Sequence, residues 1–173
     1  MLSIRLYGRD GQGAELGRDV LAGALRRSGL HARVATREDT AGDRADAALV
    51  LDAALVGGVC ALSEDALLFV NAPGAPCGLA PHAGRVLAVD VADIAGRHGL
   101  GSLVATAMVG VFAGASGMVP LRPLADEVGD RALRRGDEHV AALAEGFEIG
   151  ALMAGRRAPG AAPEPIAPRL WAE

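Results

Sequence analysis

The chain of 173 residues contains no lysine; every one of its 17 Lys-or-Arg positions is arginine. That excludes Schiff-base chemistry on a lysine amine and the lysine of a phosphate-binding P-loop. There are only two cysteines, Cys60 and Cys77. They form no CxxC pair, and no histidine pair stands at zinc spacing. Two thiols are too few for the ligand set of an iron–sulfur cluster. A basic surplus is also missing: the formal net charge is −4, which argues against a nucleic-acid partner. No apolar run approaches the roughly 20 residues of a membrane span. The first residues run straight into a strand pattern, without the basic and apolar regions of a secretory leader, so a cytoplasmic location is expected.

What is present fits one domain. Hydrophobic residues make up 51% and charged residues 22%, as in a globular chain with a full core. Leu2–Tyr7 reads as a buried strand, and Ala14–Ser28 as a helix with Leu16, Val20, Leu21, Ala24 and Leu25 on one face. Gly29 is placed to stop that helix. Further strands are expected at His31–Thr36, Ala47–Leu51, Ala66–Val70 and Arg85–Val89, and a polar turn at 37–44. They are short and apolar on both faces, as a parallel sheet requires. Helices are expected at Val91–His98, Leu103–Ala115, Leu121–Ala132 and Asp137–Met153. The whole is an α/β domain of Rossmann or flavodoxin type: a doubly wound, mostly parallel sheet with a helical C-terminal part. It is expected to span residues 1–155, followed by a Pro- and Ala-rich tail over 156–173.

The chemistry-bearing candidates lie where strands end. GRDGQGA, Gly8 to Ala14, joins the first strand to the first helix. Such a turn gathers backbone N–H groups at the positive end of a helix and suits a phosphate. Its spacing is G-x-x-G-x-G, however, not the dinucleotide fingerprint G-x-G-x-x-G. Asp10 would repel a bound phosphate, and Thr36-Arg37 stands where a ribose-binding acid would end the second strand. These features count against a stand-alone nucleotide-binding domain. A tight turn packing helix on sheet is the plainer reading. Asp52, Asn71 and Asp90 end three further strands, the edge at which open α/β sheets place ligands; polar residues there are also routine loop starters. His31, His82, His98 and His139 form no ligand pair and read as surface or satisfied histidines. Cys77 is a lone thiol with no base beside it. No catalytic set and no metal site emerges from the residues. Small residues over Val104–Ala115 allow close backbone approach, either inside the chain or to another chain. Docking of this helical region, with Leu170 and Trp171, on a partner is the sharper expectation.

The order of these motifs resembles the gamma subunit, or gamma domain, of the 2-oxoacid:ferredoxin oxidoreductases of the pyruvate and indolepyruvate type, in a divergent and shortened form. LSIRLYGRDGQGA is similar to that family's opening strand and GRGGQGA loop. Leu51-Asp52, LLFVNAP ending at Asn71, and Ala88–Ala95 resemble its later strand ends. ATAMVGVFAGASGMVPLRPL, Ala105 to Leu124, resembles a small-residue helix of the type N-T-x-M-L-G-A, with Thr106 on the threonine. Gly146-Phe147-Glu148 resembles the close of its last helix.

The resemblance implies an accessory subunit of an enzyme that oxidatively decarboxylates a 2-oxo acid and passes electrons to ferredoxin. Thiamine diphosphate, Mg and iron–sulfur clusters would then belong to partner chains: the alpha and beta thiamine-dependent subunits and a ferredoxin or iron–sulfur subunit. No cofactor is expected in this chain, and the isolated chain is expected to be inactive. The resemblance also implies a ligand- or subunit-contacting edge made of Gly8, Arg9, Asp10, Gly11, Gln12, Gly13, Asp52, Asn71 and Thr106. The alternative is a scaffold protein on the same fold.

Two departures bear on coenzyme A. The family's third loop position, a glycine, is Asp10 here. The segment with the Y/F-G-P-E/x-R-G-G signature is replaced by a short polar bridge at 36–46. Like charges about 4 Å apart repel by roughly 1 kcal/mol in water, and by about 4 at an effective dielectric of 20. A helix N-terminus returns only about 0.3–1 kcal/mol. Coenzyme A binding is therefore expected to be weak or absent. Asp10 is expected to cap the first helix instead, leaving Gln12 free to reach a neighbouring subunit.

Overall fold

The computed structural model describes residues 1–36, 44–73, 85–132 and 134–155. Five strands form one sheet: β1 Leu2–Tyr7, β2 Ala32–Thr36, β3 Ala45–Val50, β4 Leu62–Asn71 and β5 Arg85–Val89. Their order is β2-β1-β3-β4-β5, and every pair is parallel. Among the described residues, five α-helices accompany them: α1 Ala14–Arg27, α2 Val91–Arg97, α3 Ala105–Ser116, α4 Leu121–Arg131 and α5 Gly136–Met153. A 3₁₀ helix, Ala53–Gly58, follows β3.

Alternation along the strands sends side chains to two faces. Ile4, Leu6, Leu49, Phe69 and Leu87 enter a core shared with all five α-helices. Tyr7, Ala48, Val50, Leu68 and Val70 pack under Leu55 and Val56 of the 3₁₀ helix. Both faces are buried, which is why the strands read as continuous apolar runs. From β1 the chain winds outward to β2. It then returns to the other side of β1 as β3 and continues to β4 and β5. The direction of winding therefore reverses between β1 and β3.

α1 ends as its sequence asks. Gly29 takes φ +74°, and Leu30 N–H donates to Leu25 O at 3.0 Å, closing the last turn. α3 is the central helix, with every one of its residues buried. Phe112 meets Phe69 of the sheet edge-to-face, ring centroids 5.6 Å apart. On its other side α3 lies against α5, backbone to backbone. A Cβ on Gly110 or Gly114 would overlap the carbonyl oxygens of Leu143 and Phe147. One on Gly146 or Gly150 would overlap those of Ala107 and Val111. Each helix thus presents a G-x-x-x-G pair, GVFAG and GFEIG, to the other. The small residues of α3 are therefore spent inside the chain, the internal of the two uses that its sequence allows.

Polar clamps hold the outer helices. The buried Glu127 of α4 lies over Gly23 of α1 and accepts from Arg27 Nε at 2.6 Å and Arg131 Nε at 2.7 Å. Glu145 of α5 pairs with Arg97 and His98 at the end of α2. Arg97 and His98 hold its carboxyl below the usual carboxylate range, with Arg97 the larger effect.

Two elements differ from the sequence expectation. β4 begins at Leu62, four residues early, because its first residues pair across a register shift that breaks the alternation. The 3₁₀ helix was not expected; six uncharged residues carry no helical period, although Asp52 caps them by accepting from Ala54 N–H at 2.9 Å. The tail at 156–173 and most of the bridge at 36–46 lie outside the described residues.

Candidate functional site at the sheet edge

The C-terminal ends of β1 and β3 stand side by side at the point where the winding reverses. In doubly wound sheets this is the place where a crevice opens for a ligand. The loop Gly8–Gly13 leaves β1 here. Gly11 and Gly13 take φ +81° and +76°, which glycine adopts without strain. A Cβ on Gly8 would come within 2.9 Å of Leu51 Cδ1. The first glycine therefore serves close approach, and the other two serve the turn.

The polar side chains close on one another. Gln12 accepts from Arg9 N–H at 2.7 Å through Oε1 and donates through Nε2 to Leu51 O at 3.3 Å. Asn71 at the end of β4 donates to the same Leu51 oxygen at 2.9 Å and accepts from Ala92 N–H at 3.2 Å. Arg9 Nε meets Asp52 Oδ2 at 2.8 Å, bridging the β1 and β3 loops. Gly11 O accepts from Ser102 Oγ at 3.0 Å, and Gln12 O accepts from Ala105 N–H at 3.2 Å. The loop is thereby fixed to the start of α3. Beside it opens a cleft of about 660 Å³ whose lining includes Arg9, Asp10, Gly13, Glu15, Thr36 and Leu103.

Of the expected residues, Gly8 to Gly13, Asp52 and Asn71 do come together. Thr106 does not join them. It is buried between α3 and α5, its Oγ1 3.0 Å from His139 Nδ1. Burial pushes the His139 imidazole below its ordinary value; Glu138 opposes this and Arg135 adds to it. Asp10 is exposed and does not cap α1, whose N-cap is Gly13 with no side-chain hydrogen bond. The left-handed Gly13 turns the chain between Asp10 and the helix, so the carboxylate never reaches the first amides. Gln12 is not free for a neighbour either, because both ends of its amide are engaged within the chain. Glu15, Thr36 and Leu103 were missed as lining residues. Glu15 had a visible signal as an acid in the first turn of α1, whereas Leu103 is brought to the cleft only by tertiary folding. Among the described residues, no group of three or more His, Cys, Asp or Glu is placed to hold a metal ion. Likewise, no helix is long and apolar enough to cross a membrane.

Residues 32–149 match the family described as pyruvate ferredoxin/flavodoxin oxidoreductase. The chain belongs to that family. A solved structure of the pyruvate oxidoreductase subunit PORC from Thermotoga maritima is 28% identical, with a TM-score of 0.67, covering 84% of this chain and 94% of that one. The gamma subunit of a keto/oxoacid ferredoxin oxidoreductase from Geobacter sulfurreducens has a TM-score of 0.66 at 16% identity, covering 86% and 95%. Among curated proteins nothing matches. The family match and these neighbours agree with the resemblance read from the motifs. The matched stretch begins after the glycine loop, so that loop's chemistry must be read from its own geometry.

Proposed function

We propose that the chain is the accessory gamma-type subunit of a thiamine-diphosphate-dependent 2-oxoacid oxidoreductase. Its partners would be the alpha and beta thiamine-dependent subunits and a ferredoxin or iron–sulfur subunit, in the cytoplasm. The observation that carries this reading is the family match over residues 32–149 on a fold that covers 94% of the Thermotoga subunit.

The chain's own donors do not fit the complex's cofactors. Its two cysteines are too few for an iron–sulfur cluster. A diphosphate at the glycine loop would face the carboxylates of Asp10 and Glu15. Coenzyme A phosphates meet the same obstacle, so no step is routed through this chain. Its role is to pack against and complete the partner subunits. The test is affinity purification from the native host, followed by an assay of 2-oxoacid-dependent reduction of a viologen dye. Co-purification of thiamine-dependent subunits, with activity lost when this chain is left out and restored on adding it back, is expected. A complex equally active without the chain would overturn the proposal.

A further inference from the structure

The crevice has the form of a phosphate site and the charges of its opposite. A glycine loop at the reversal of a parallel sheet, opening into the N-terminus of a 14-residue helix, offers amides and a positive helix end. Among the described residues that line the cleft, the one cation is Arg9. Its guanidinium is already held by the Asp52 carboxylate at 2.8 Å. Asp52 is itself fixed in place, because its other oxygen caps the 3₁₀ helix through Ala54 N–H. Asp10 and Glu15 add two exposed carboxylates to the lining. The Gln12 amide, the remaining polar side chain of the loop, is engaged at both ends.

We infer that Asp52, Asp10 and Glu15 are specificity determinants that keep phosphate-bearing ligands out of this crevice, with Asp52 the internal occupant of Arg9. An incoming phosphate must displace a carboxylate that is anchored to backbone, and then sit beside two more negative charges.

The test is calorimetric titration of pyrophosphate, at low salt, into the purified full-length chain and its neutral isosteric variants. Asp52→Asn, Asp10→Asn and Glu15→Gln each remove one charge and keep the side-chain shape. Each is expected to tighten binding about fivefold, and the triple variant on the order of a hundredfold. Adding Arg9→Gln to the triple variant is expected to give back about fivefold of the gain, and in an Arg9→Gln background Asp52→Asn is expected to gain less than it does beside Arg9. Unchanged thermal melts establish that the variants are folded, and the single variants carry the test if the triple one is not. Wild-type binding as tight as that of the variants would overturn the inference, as would a triple-variant affinity that does not fall when Arg9 is removed. Failure to co-purify with thiamine-dependent subunits would overturn the proposed function and leave this result untouched.

Discussion

The α3–α5 seam and the turn at Gly11 and Gly13 are both built on glycine, and they use it for different reasons. In the seam, Gly110, Gly114, Gly146 and Gly150 are ordinary helical residues whose value is the missing Cβ, since carbonyl oxygens occupy the space where it would stand. In the loop, nothing crowds Gly11 closer than 4.0 Å; its value is the backbone angle, φ +81°. The four seam glycines are buried, whereas the loop is polar, charged and partly exposed. Stability is thus concentrated in the first region and selectivity in the second.

The largest effect should come from filling the seam. Gly114→Ala places a methyl group against the Phe147 carbonyl and is expected to cost about 3 kcal/mol or more. A urea midpoint measurement decides it; a loss under about 1 kcal/mol would mean that the helices part easily and that the contrast is wrong.

Next comes the polar pair at the head of the same seam. Thr106→Val leaves His139 Nδ1 buried without its partner and is expected to cost about 1–3 kcal/mol. The His139 pKa is lowered in the folded chain, first by burial, so the unfolded chain binds the extra proton. Its contribution to stability is therefore complete above the unfolded value of about 6.5 and is lost as pH falls from there through the lower folded value. Replacing His139 with Gln should flatten the stability–pH curve in that window; a slope that persists would assign it to other groups. Glu145, whose pKa is also lowered, acts at more acidic pH: its contribution is present above the unfolded carboxyl value and lost below it.

Smaller still is Gly11→Ala, which sets a side chain at a left-handed angle in open space, at an expected cost of about 1–2 kcal/mol. A cost equal to that of Gly114→Ala would erase the distinction between the two uses of glycine. The least is Arg9→Gln. Arg9 is 59% exposed in its bridge to Asp52, and such pairs contribute under about 1 kcal/mol. If the melting temperature falls as far as it does for the seam variants, the crevice is structural after all.

Much of this was legible in the chain itself. All five strands and all five α-helices were expected within a few residues, because two-sided apolar runs and helical spacing are local signals. The glycine loop, Asp52 and Asn71 could be placed together because each follows a strand and parallel strands end on one edge. What failed was direction rather than position. Asp10 looked like a cap by spacing, yet Gly13 redirects the chain before the helix begins. Thr106 matched a motif, yet its place on α3 turns it toward α5. The small residues of α3 were seen to permit close approach, but which surface approaches is decided only when α5 folds back. A single sequence reports periodicity along the chain, whereas these three outcomes depend on contacts between segments far apart in it.

The seam also has a consequence for how the protein is made. The last strand is complete at Val89, but the helix that covers Phe69 begins at Ala105, and its own cover, α5, runs to Met153. A chain emerging from its N-terminus therefore carries a finished sheet whose apolar face around Phe69 stays open until α3 follows, and the outer side of α3 in turn stays open until nearly all of the described residues have been synthesised. A ribosome stalled before α5 would hold a species prone to clumping rather than a half-stable domain. The two glycine pairs act as the closing fastener: the fold locks only when the second pair arrives to meet the first.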